Sequence, residues 1–234
     1  MNPFPDPPAT ETCVLCSGGL DSVVLLAWAA GAGAPVLPVY VRAGLAWEPR
    51  EVEALERVLA VPPLAGRVRP LVSLGVDVGD LYPPSHWALR GSPPAYDTPD
   101  EDVFLPGRNL LLLSKAAVLC AMRGITRIAV GPLAGNPFPD ATPEFFEAIG
   151  RAASLGLAHE IRVEAPFARL HKEEVIRLGE ALGVPLALTL SCMNPGGGLH
   201  CGVCSKCRER RDAFAAAGVE DPTAYRAPSP RPAR

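Results

Sequence analysis

The sequence predicts an α/β protein in which a parallel sheet carries helices on both faces, with a four-cysteine module towards the C-terminus. Short apolar runs alternate with longer segments of helical spacing, which is the pattern of a parallel sheet built from βαβ units. Glycines stand where several helical segments end. Four of the seven cysteines lie within sixteen residues, and 48% of the 234 residues are apolar, enough for a sizeable core.

The predicted elements follow one another in alternating order. Residues 12–16 are a short apolar run that predicts a buried strand, and the alanine-rich residues 20–30 predict a helix that ends at Gly31 or Gly33. Further strands are predicted at 36–41, 68–74, 127–130 and 160–164, and further helices at 48–60, 109–123, 143–155 and 171–182. Ligands of such sheets bind beyond the carboxyl ends of the strands, so the loops after the strands are candidate sites.

The chain divides into two predicted units between two tails. The α/β domain is predicted at residues 12–187 and the cysteine module at 188–225. Residues 1–11 and 226–234 are expected to be flexible tails.

The glycine loop, residues 17–22 with the sequence SGGLDS, follows a strand and opens a helix. Backbone N–H groups and the positive end of a helix hold phosphate at such a position. Gly18 and Gly19 let the backbone approach an anion closely, and the two serines can donate hydroxyl hydrogen bonds. Asp21 either binds magnesium or caps the helix. The loop lacks the lysine of a Walker sequence, and an ordinary strand–helix turn is the alternative interpretation.

The spacing Cys192-x8-Cys201-x2-Cys204-x2-Cys207 supplies four thiolates. Four sulfur ligands with no open position are typical of a structural zinc site, with an iron–sulfur cluster or a set of free thiols as the alternatives. His200 is expected to be a bystander, because four cysteines already complete the shell. The Cys13-x2-Cys16 pair lies on a predicted strand, where residues three apart face opposite sides, so two buried thiols are expected there.

Several polar residues stand at predicted helix starts or before the cysteines. Arg108 and Asn109 follow Pro-Gly, where Arg108 can clamp a phosphate or a carboxylate. Lys172 opposes the dipole of its helix, so an anion such as pyrophosphate would explain its placement. Thr189 and Ser191 can donate hydrogen bonds to phosphate. A solvated lysine and ordinary hydroxyl groups remain the alternatives.

Charge and hydropathy argue against membranes and nucleic acid as partners. The net charge is only −3, and no apolar run approaches the roughly 20 residues that span a bilayer. The first residues do not have the pattern of a secretory signal, so we expect a cytoplasmic protein with reduced thiols.

The glycine loop resembles the SGGxDS loop of the PP-loop ATP pyrophosphatases, which cleave ATP to AMP and pyrophosphate while they adenylate a substrate oxygen. Within that superfamily, the chain resembles the 7-cyano-7-deazaguanine synthase family over residues 12–225. The matching stretches occur in the family's order, at residues 105–109 (LPGRN), 143–145 (PEF), 172–179, 182–185 (LGVP), 189–192 (T-x-S-C) and 221–225 (DPTAY).

The resemblance implies an adenine-nucleotide α-hydrolase-like fold, a homodimer, and the use of ATP, Mg²⁺ and Zn²⁺. It implies an ATP-dependent ligase that makes 7-cyano-7-deazaguanine from 7-carboxy-7-deazaguanine and ammonia, without a side-chain nucleophile. The catalytic group is then Ser17, Asp21, Ser22 and Lys172, and ATP or pyrophosphate contacts Cys16, Ser17, Gly18, Gly19, Leu20, Asp21, Ser22, Tyr40, Arg108, Asn109, Thr189 and Ser191.

The resemblance also places the deazapurine near the loop that carries Gly131 and Asn136. There Phe138 can stack on the ring and Asp140 can accept its N–H groups; an asparagine–proline turn is the alternative. Residues 40–48 and 131–140 depart from the family pattern. Three other hypotheses therefore stay open, namely a related enzyme with another carboxylate acceptor, a tRNA sulfur-transfer enzyme, and a non-catalytic nucleotide-binding module.

Overall fold

The computed structural model describes residues 4–230 and contains one five-stranded parallel sheet of order β3-β2-β1-β4-β5. Its strands are β1 (Thr12–Leu15), β2 (Val36–Arg42), β3 (Val72–Gly75), β4 (Arg127–Ala129) and β5 (Arg162–Glu164). From β1 the chain first builds the sheet outwards through β2 and β3, and then adds β4 and β5 on the other side. The reversal between β1 and β4 opens a crevice beyond their carboxyl ends.

Helices cover both faces of the sheet, as the α/β prediction requires. They are α1 (Leu20–Ala30), α2 (Glu48–Leu59), α3 (Trp87–Arg90), α4 (Arg108–Arg123), α5 (Pro143–Leu157), α6 (Lys172–Ala181) and α7 (Ser205–Ala217). Helices α1, α2 and α6 contribute to the core on one face, and α4 and α5 to the core on the other. Cys16 belongs to the first core and Cys13 to the second, which confirms two buried thiols on opposite faces.

Two parts of the fold differ from the elements predicted from sequence. The third strand begins at Val72 instead of residue 68, because residues 68–71 form a bend and coil around Pro70, which has no backbone N–H for a sheet hydrogen bond. The cysteine module contains a 13-residue helix, α7, that the sequence analysis did not assign. A long connection, residues 76–107, contains α3 and a short 3-10 turn at Asp100–Val103.

The described parts of the predicted tails make contacts with the domain. The Trp28 indole N–H donates to the Pro5 carbonyl oxygen at 2.9 Å, and Arg211 donates to the Ala227 carbonyl oxygen at 3.0 Å. The tail boundaries at residues 11 and 226 stay predictions, and residues 1–3 and 231–234 lie outside the described residues. Within residues 4–230, no helix has the length and apolar character to cross a bilayer.

Candidate active site and metal centre

The glycine loop joins β1 to α1 and is held by its own serines. The Ser17 N–H donates to Ser22 Oγ at 3.1 Å, and Ser22 Oγ donates to the Gly19 carbonyl oxygen at 3.0 Å. Gly18 has a φ of 74°, and a Cβ at this position would lie 2.7 Å from the Glu51 carbonyl oxygen. Helix α2 therefore packs so closely against the loop that only glycine fits at position 18.

Two neighbouring cavities open at the crevice between β1 and β4. The larger has a volume of about 500 Å³ and the smaller about 260 Å³, and the loop after β4 borders both. A Cβ on Gly131 would lie 3.7 Å from the backbone of Asp21 and Ser22, so this loop touches the first turn of α1. The reversal of the sheet thus brings the loop after β4 against the glycine loop.

The structure brings most of the residues predicted for the site to this crevice. Both cavities are lined by Ser17, Gly19, Asp21, Arg108, Gly131, Asn136 and Phe138. The larger one is also lined by Leu20, Lys172 and Ser191, and the smaller one by Cys16, Ser22, Tyr40 and Asn109. Gly18, Thr189 and Asp140 line neither. Gly18 belongs to the glycine loop but packs against α2, whereas Thr189 and Asp140 are buried outside the two cavities.

A network of alternating charges connects α1, α6 and α7 at the larger cavity. Lys172 Nζ lies 3.2 Å from Asp21 Oδ2 and also pairs with Glu209, which in turn binds Lys206 at 2.6 Å. Burial alone would raise the pKa of Glu209, but the two lysines outweigh it and hold that pKa at about 2. Burial lowers the pKa of Lys172, but Asp21 and Glu209 outweigh it and raise it above its usual value. Lys172 and Glu209 are therefore charged at neutral pH.

Two buried polar atoms at the crevice lack a hydrogen-bond partner among residues 4–230. They are Asp21 Oδ1 and Arg108 Nε, an acceptor and a donor. Burial raises the pKa of Asp21, and the Lys172 ammonium opposes this shift. Since buried polar groups are almost always paired in proteins, these two atoms are candidate contacts for a ligand in the crevice.

Asp140 is directed to the start of α4 and not to the cavities. Its Oδ2 accepts the Asn109 N–H at 3.0 Å, and the Asn109 side-chain amide donates to the Asp140 carbonyl oxygen at 2.9 Å. The carboxylate therefore satisfies the exposed N–H groups at the N-terminus of α4. The prediction that Asp140 faces a substrate ring does not fit this position.

Thr189 is likewise occupied inside the protein. Its hydroxyl donates to the Leu186 carbonyl oxygen at 2.7 Å and accepts from Arg210 Nη1 at 2.9 Å. The same Arg210 nitrogen donates to Ser191 Oγ at 3.1 Å. The Arg210 side chain is fully buried, so it fixes the segment before the cysteines, a role that the sequence analysis missed.

Glu51 is a second residue that sequence reasoning missed. It stands in the first turn of α2, lines the larger cavity and accepts a hydrogen bond from the Tyr40 hydroxyl at 2.7 Å. Burial raises the pKa of Glu51 to about 7, although Arg108 and Tyr40 oppose the shift. The only signal in the sequence was an acidic residue in the first turn of a predicted helix, which is usually a solvated position.

Aromatic rings form part of the cavity wall. Trp47 and Trp87 both line the larger cavity and stack on each other with a centroid separation of 5.6 Å and an interplanar angle of 11°. Phe138 stacks on Phe104 at 5.3 Å, so its ring already has an aromatic partner. A planar ligand in the larger cavity would contact tryptophan as well as phenylalanine.

The four cysteines of the C-terminal module form a compact cluster. The Sγ atoms of Cys192, Cys201, Cys204 and Cys207 all lie within 4.8 Å of one another, and all four residues are buried. Backbone N–H groups point at the sulfurs, for example Cys201 N–H to Cys192 Sγ at 3.2 Å. Such N–H···S contacts suit thiolates that share a metal ion.

His200 does not belong to this metal-ligand cluster. Its Nε2 accepts the Ser191 N–H at 3.1 Å, and its ring packs against Tyr225. The prediction of a bystander histidine therefore fits the structure.

Comparison with known proteins gives a consistent result over nearly the whole chain. A family model described as queuosine biosynthesis protein QueC matches residues 11–218. A 7-cyano-7-deazaguanine synthase of Methanopyrus kandleri is 35% identical, covering 92% of this chain and 98% of that protein. One of Methanothrix thermoacetophila is 35% identical, covering 90% and 96%. A solved 4-thiouridine synthetase–RNA complex with bound ATP is similar at 16% identity and a TM-score of 0.49, covering 89% of this chain and 51% of that one.

Proposed function

The chain belongs to the family of queuosine biosynthesis protein QueC, and from this premise we propose that it is an ATP-dependent carbon–nitrogen ligase. It converts 7-carboxy-7-deazaguanine and ammonia into 7-cyano-7-deazaguanine. The observation that supports this function best is the glycine loop at the sheet reversal, with Asp21 Oδ1 and Arg108 Nε unpaired beside it. The two cavities give room for a nucleotide and a planar acid next to each other.

The reaction consists of two adenylations. The substrate carboxylate attacks the α-phosphorus of ATP and pyrophosphate leaves; ammonia then displaces AMP and forms the amide. A second ATP activates the amide oxygen, and AMP leaves as the nitrile forms. The protein has to align the α-phosphate with the acceptor oxygen and to stabilise the departing pyrophosphate. Positioning of the reactants and electrostatic stabilisation therefore account for the rate enhancement.

We assign the phosphate-binding role to the glycine loop together with two cations. Backbone N–H groups at the start of α1, the hydroxyls of Ser17 and Ser22, Lys172, and Arg108 border the cavities from different elements. Lys172 and Arg108 would offset the charge that develops on pyrophosphate as it leaves. Cys16, Tyr40 and Asn109 would line the nucleotide from the smaller cavity.

The donor sets at two places fit the proposed metals. Asp21 Oδ1, buried and unpaired, is the oxygen that a magnesium ion on the phosphates would use, and magnesium supplies charge neutralisation there. Cys192, Cys201, Cys204 and Cys207 would hold zinc in a closed, structural site. The sulfur geometry alone does not separate zinc from an iron–sulfur cluster, so metal analysis of the purified protein decides between them.

We place the deazapurine in the larger cavity, bordered by Gly131, Asn136 and Phe138 on one side. The Trp47–Trp87 pair supplies a second aromatic wall that the sequence analysis had not considered. The altered residues 40–48 thus contribute to the acceptor side of the cavity, through Trp47.

Incubation of the protein with 7-carboxy-7-deazaguanine, ammonium and MgATP tests this function. The expected products are the nitrile and AMP, with two AMP formed for each nitrile. An AMP yield that does not depend on the deazapurine, or no AMP at all, would contradict the proposal. Lys172→Met should lose most of the activity, whereas Lys115→Met, at an exposed position on α4, should keep it.

We further propose that the enzyme is a cytoplasmic homodimer. The exposed apolar side chains of Val118 and Met122 lie one turn apart on α4, Leu110 is exposed in its first turn, and these side chains support a contact between two copies. Seven cysteines without a disulfide in residues 4–230 are consistent with a reducing compartment. The similarity to synthases over nine-tenths of the chain does not favour another acceptor or tRNA sulfur transfer.

A further inference from the structure

Glu51 is a buried carboxyl group at the larger cavity, and it has no role in the two adenylation steps described above. Glu51 is 9% exposed, stands in the first turn of α2 and lines the larger cavity. The Tyr40 hydroxyl donates to Oε2 at 2.7 Å, which fixes the orientation of the carboxyl group. No salt bridge joins Glu51 to any residue between positions 4 and 230.

The groups around Glu51 leave it able to exchange a proton near neutral pH. Tyr40 faces it from β2, Glu48 from its own helix, and Arg108 from α4. Burial raises the pKa of Glu51 to about 7, against the opposing influence of Arg108 and Tyr40. A group that accepts and releases protons at the working pH is suited to general-base catalysis.

The position of Glu51 links this group to the reaction. The Glu51 carbonyl oxygen is the atom that a Cβ on Gly18 would meet at 2.7 Å, so the residue lies directly behind the glycine loop. Trp47 stands four residues earlier, hydrogen-bonds to the Glu51 side chain and also lines the larger cavity. A buried carboxylate at the wall of a cavity, partly shielded from water, attracts a small cation such as ammonium more strongly than an exposed one does.

Ammonia chemistry needs such a group. At neutral pH ammonia is present almost entirely as ammonium, which has no lone pair for attack. An enzyme that uses ammonium must therefore bind the cation, remove one proton and release neutral ammonia beside the acyl carbon. Lys172 cannot serve as the base, because Asp21 and Glu209 raise its pKa above the usual value and keep it charged.

We propose that Glu51 binds ammonium in the larger cavity and accepts its proton, so that neutral ammonia attacks the adenylated acceptor. This inference rests on the proposed ligase function. One N–H bond of ammonium breaks and an O–H bond forms on the Glu51 carboxylate. The nitrogen lone pair then forms the C–N bond, the C–O bond to AMP breaks, and AMP leaves with that electron pair. The second proton lost from nitrogen, and later the proton on Glu51, pass to solvent water.

Glu51→Gln separates the ammonia step from adenylation. In this variant we expect nitrile formation from ammonium to fall by roughly 10²–10⁴-fold, the range of general-base catalysis. Exchange of labelled pyrophosphate into ATP, which requires the carboxylate substrate and no ammonia, should persist. Hydroxylamine is largely unprotonated at neutral pH, so it should form the hydroxamate with Glu51→Gln at a rate close to that of the unchanged protein.

Glu173→Gln is the matched control, because Glu173 lines the same cavity and the same side-chain replacement is made there. It should leave the use of ammonium unchanged. Glu51→Gln would overturn the inference if it used ammonium as well as the unchanged protein, or if hydroxylamine did not restore product. Loss of pyrophosphate exchange in Glu51→Gln would overturn it too and would indicate a role in nucleotide or metal binding. If the unchanged protein showed no exchange, the ligase function itself would fail.

Discussion

At the scale of single residues, Gly18 shows how closely α2 approaches the glycine loop. Its φ of 74° and the 2.7 Å distance from an added Cβ to the Glu51 carbonyl oxygen both require glycine. We expect Gly18→Ala to displace the loop and to weaken ATP binding at least tenfold, measured by calorimetry. The positive φ alone costs about 1–2 kcal/mol with a Cβ present.

Gly33→Ala is the control for backbone strain without a clash. Gly33 has a φ of 76°, and nothing lies within 4 Å of an added Cβ. This variant should lose stability by the same roughly 1–2 kcal/mol in thermal unfolding and should bind ATP normally. Equal ATP affinities for the two variants would mean that the approach of α2 does not matter.

Glu209 competes with phosphate for the two lysines that it holds. With a pKa of about 2 it is ionised at every working pH, so Glu209→Gln removes a full negative charge. We expect pyrophosphate to inhibit this variant at about fivefold lower concentration, since a partly exposed ion pair contributes roughly 1 kcal/mol. The measurement is the inhibition constant of pyrophosphate in the nitrile assay.

Glu173→Gln again provides the comparison, because it removes the same charge from the same cavity without a salt bridge to Lys172 or Lys206. A large shift only in Glu209→Gln supports direct competition at the lysines. An equal shift in both variants would indicate that pyrophosphate responds to the net charge of the cavity alone.

At the scale of elements, helix α7 connects the metal centre to the active site. It starts directly after Cys204 and contains Cys207. Its Lys206 and Glu209 side chains line the larger cavity, and Arg210 donates a hydrogen bond to Ser191. We expect removal of the metal by a chelator to loosen α7, to lower Tm, and to weaken ATP binding. Metal content by mass spectrometry and ATP affinity by calorimetry should fall together.

Cys204→Ser should reproduce the effect of the chelator, because three thiolates and a hydroxyl hold zinc less tightly. Cys120→Ser, at a buried thiol on the core face of α4, should keep the metal and the ATP affinity even if the variant is less stable. An unchanged ATP affinity in metal-free protein would show that α7 holds its position without the metal.

What sequence could predict at this scale depends on how local the signal is. The glycine loop and the four cysteines have short spacings, so the sequence alone identifies both as candidate sites. The ion pair of Lys172 with Glu209 joins residues 37 positions apart in the chain, so no local pattern predicts it. Glu51 is buried against Tyr40 of β2 and the glycine loop, which are also distant in sequence, so its burial had no local signal either. The late start of β3 follows from Pro70, which has no backbone N–H to donate within a sheet and interrupts the predicted strand at 68–74.

At the scale of the whole molecule, the sheet reversal determines which segments meet. Helices α1 and α4 leave from opposite sides of the crevice, and α7 reaches it from the cysteine module. The α/β class predicted a site at the carboxyl edge of the sheet. The alternating pattern did not predict that the 76–107 connection would add Trp87 and Asp100 to the wall, because a long loop has no periodic signal.

The exposed apolar side chains of Val118 and Met122 on α4 are the basis for predicting a homodimer. Met122 is 82% exposed and Val118 is 47% exposed, one turn apart on the same helix. We expect Val118→Asp with Met122→Asp to convert a homodimer into a monomer, measured by light scattering after gel filtration. Leu81→Asp, at an exposed apolar residue of the 76–107 connection, should leave the mass unchanged. A monomeric unchanged protein would contradict the proposed assembly.

The placement of the three tryptophans has an optical consequence. Trp47 and Trp87 stack on each other in the cavity wall, whereas Trp28 is buried in the core with its indole N–H bound to Pro5. Indole emission responds to a purine ring or a charge placed against it, so filling the cavity should change the fluorescence of two of the three chromophores. The unlabelled protein thus contains its own spectroscopic probe of occupancy, with Trp28 as an internal reference.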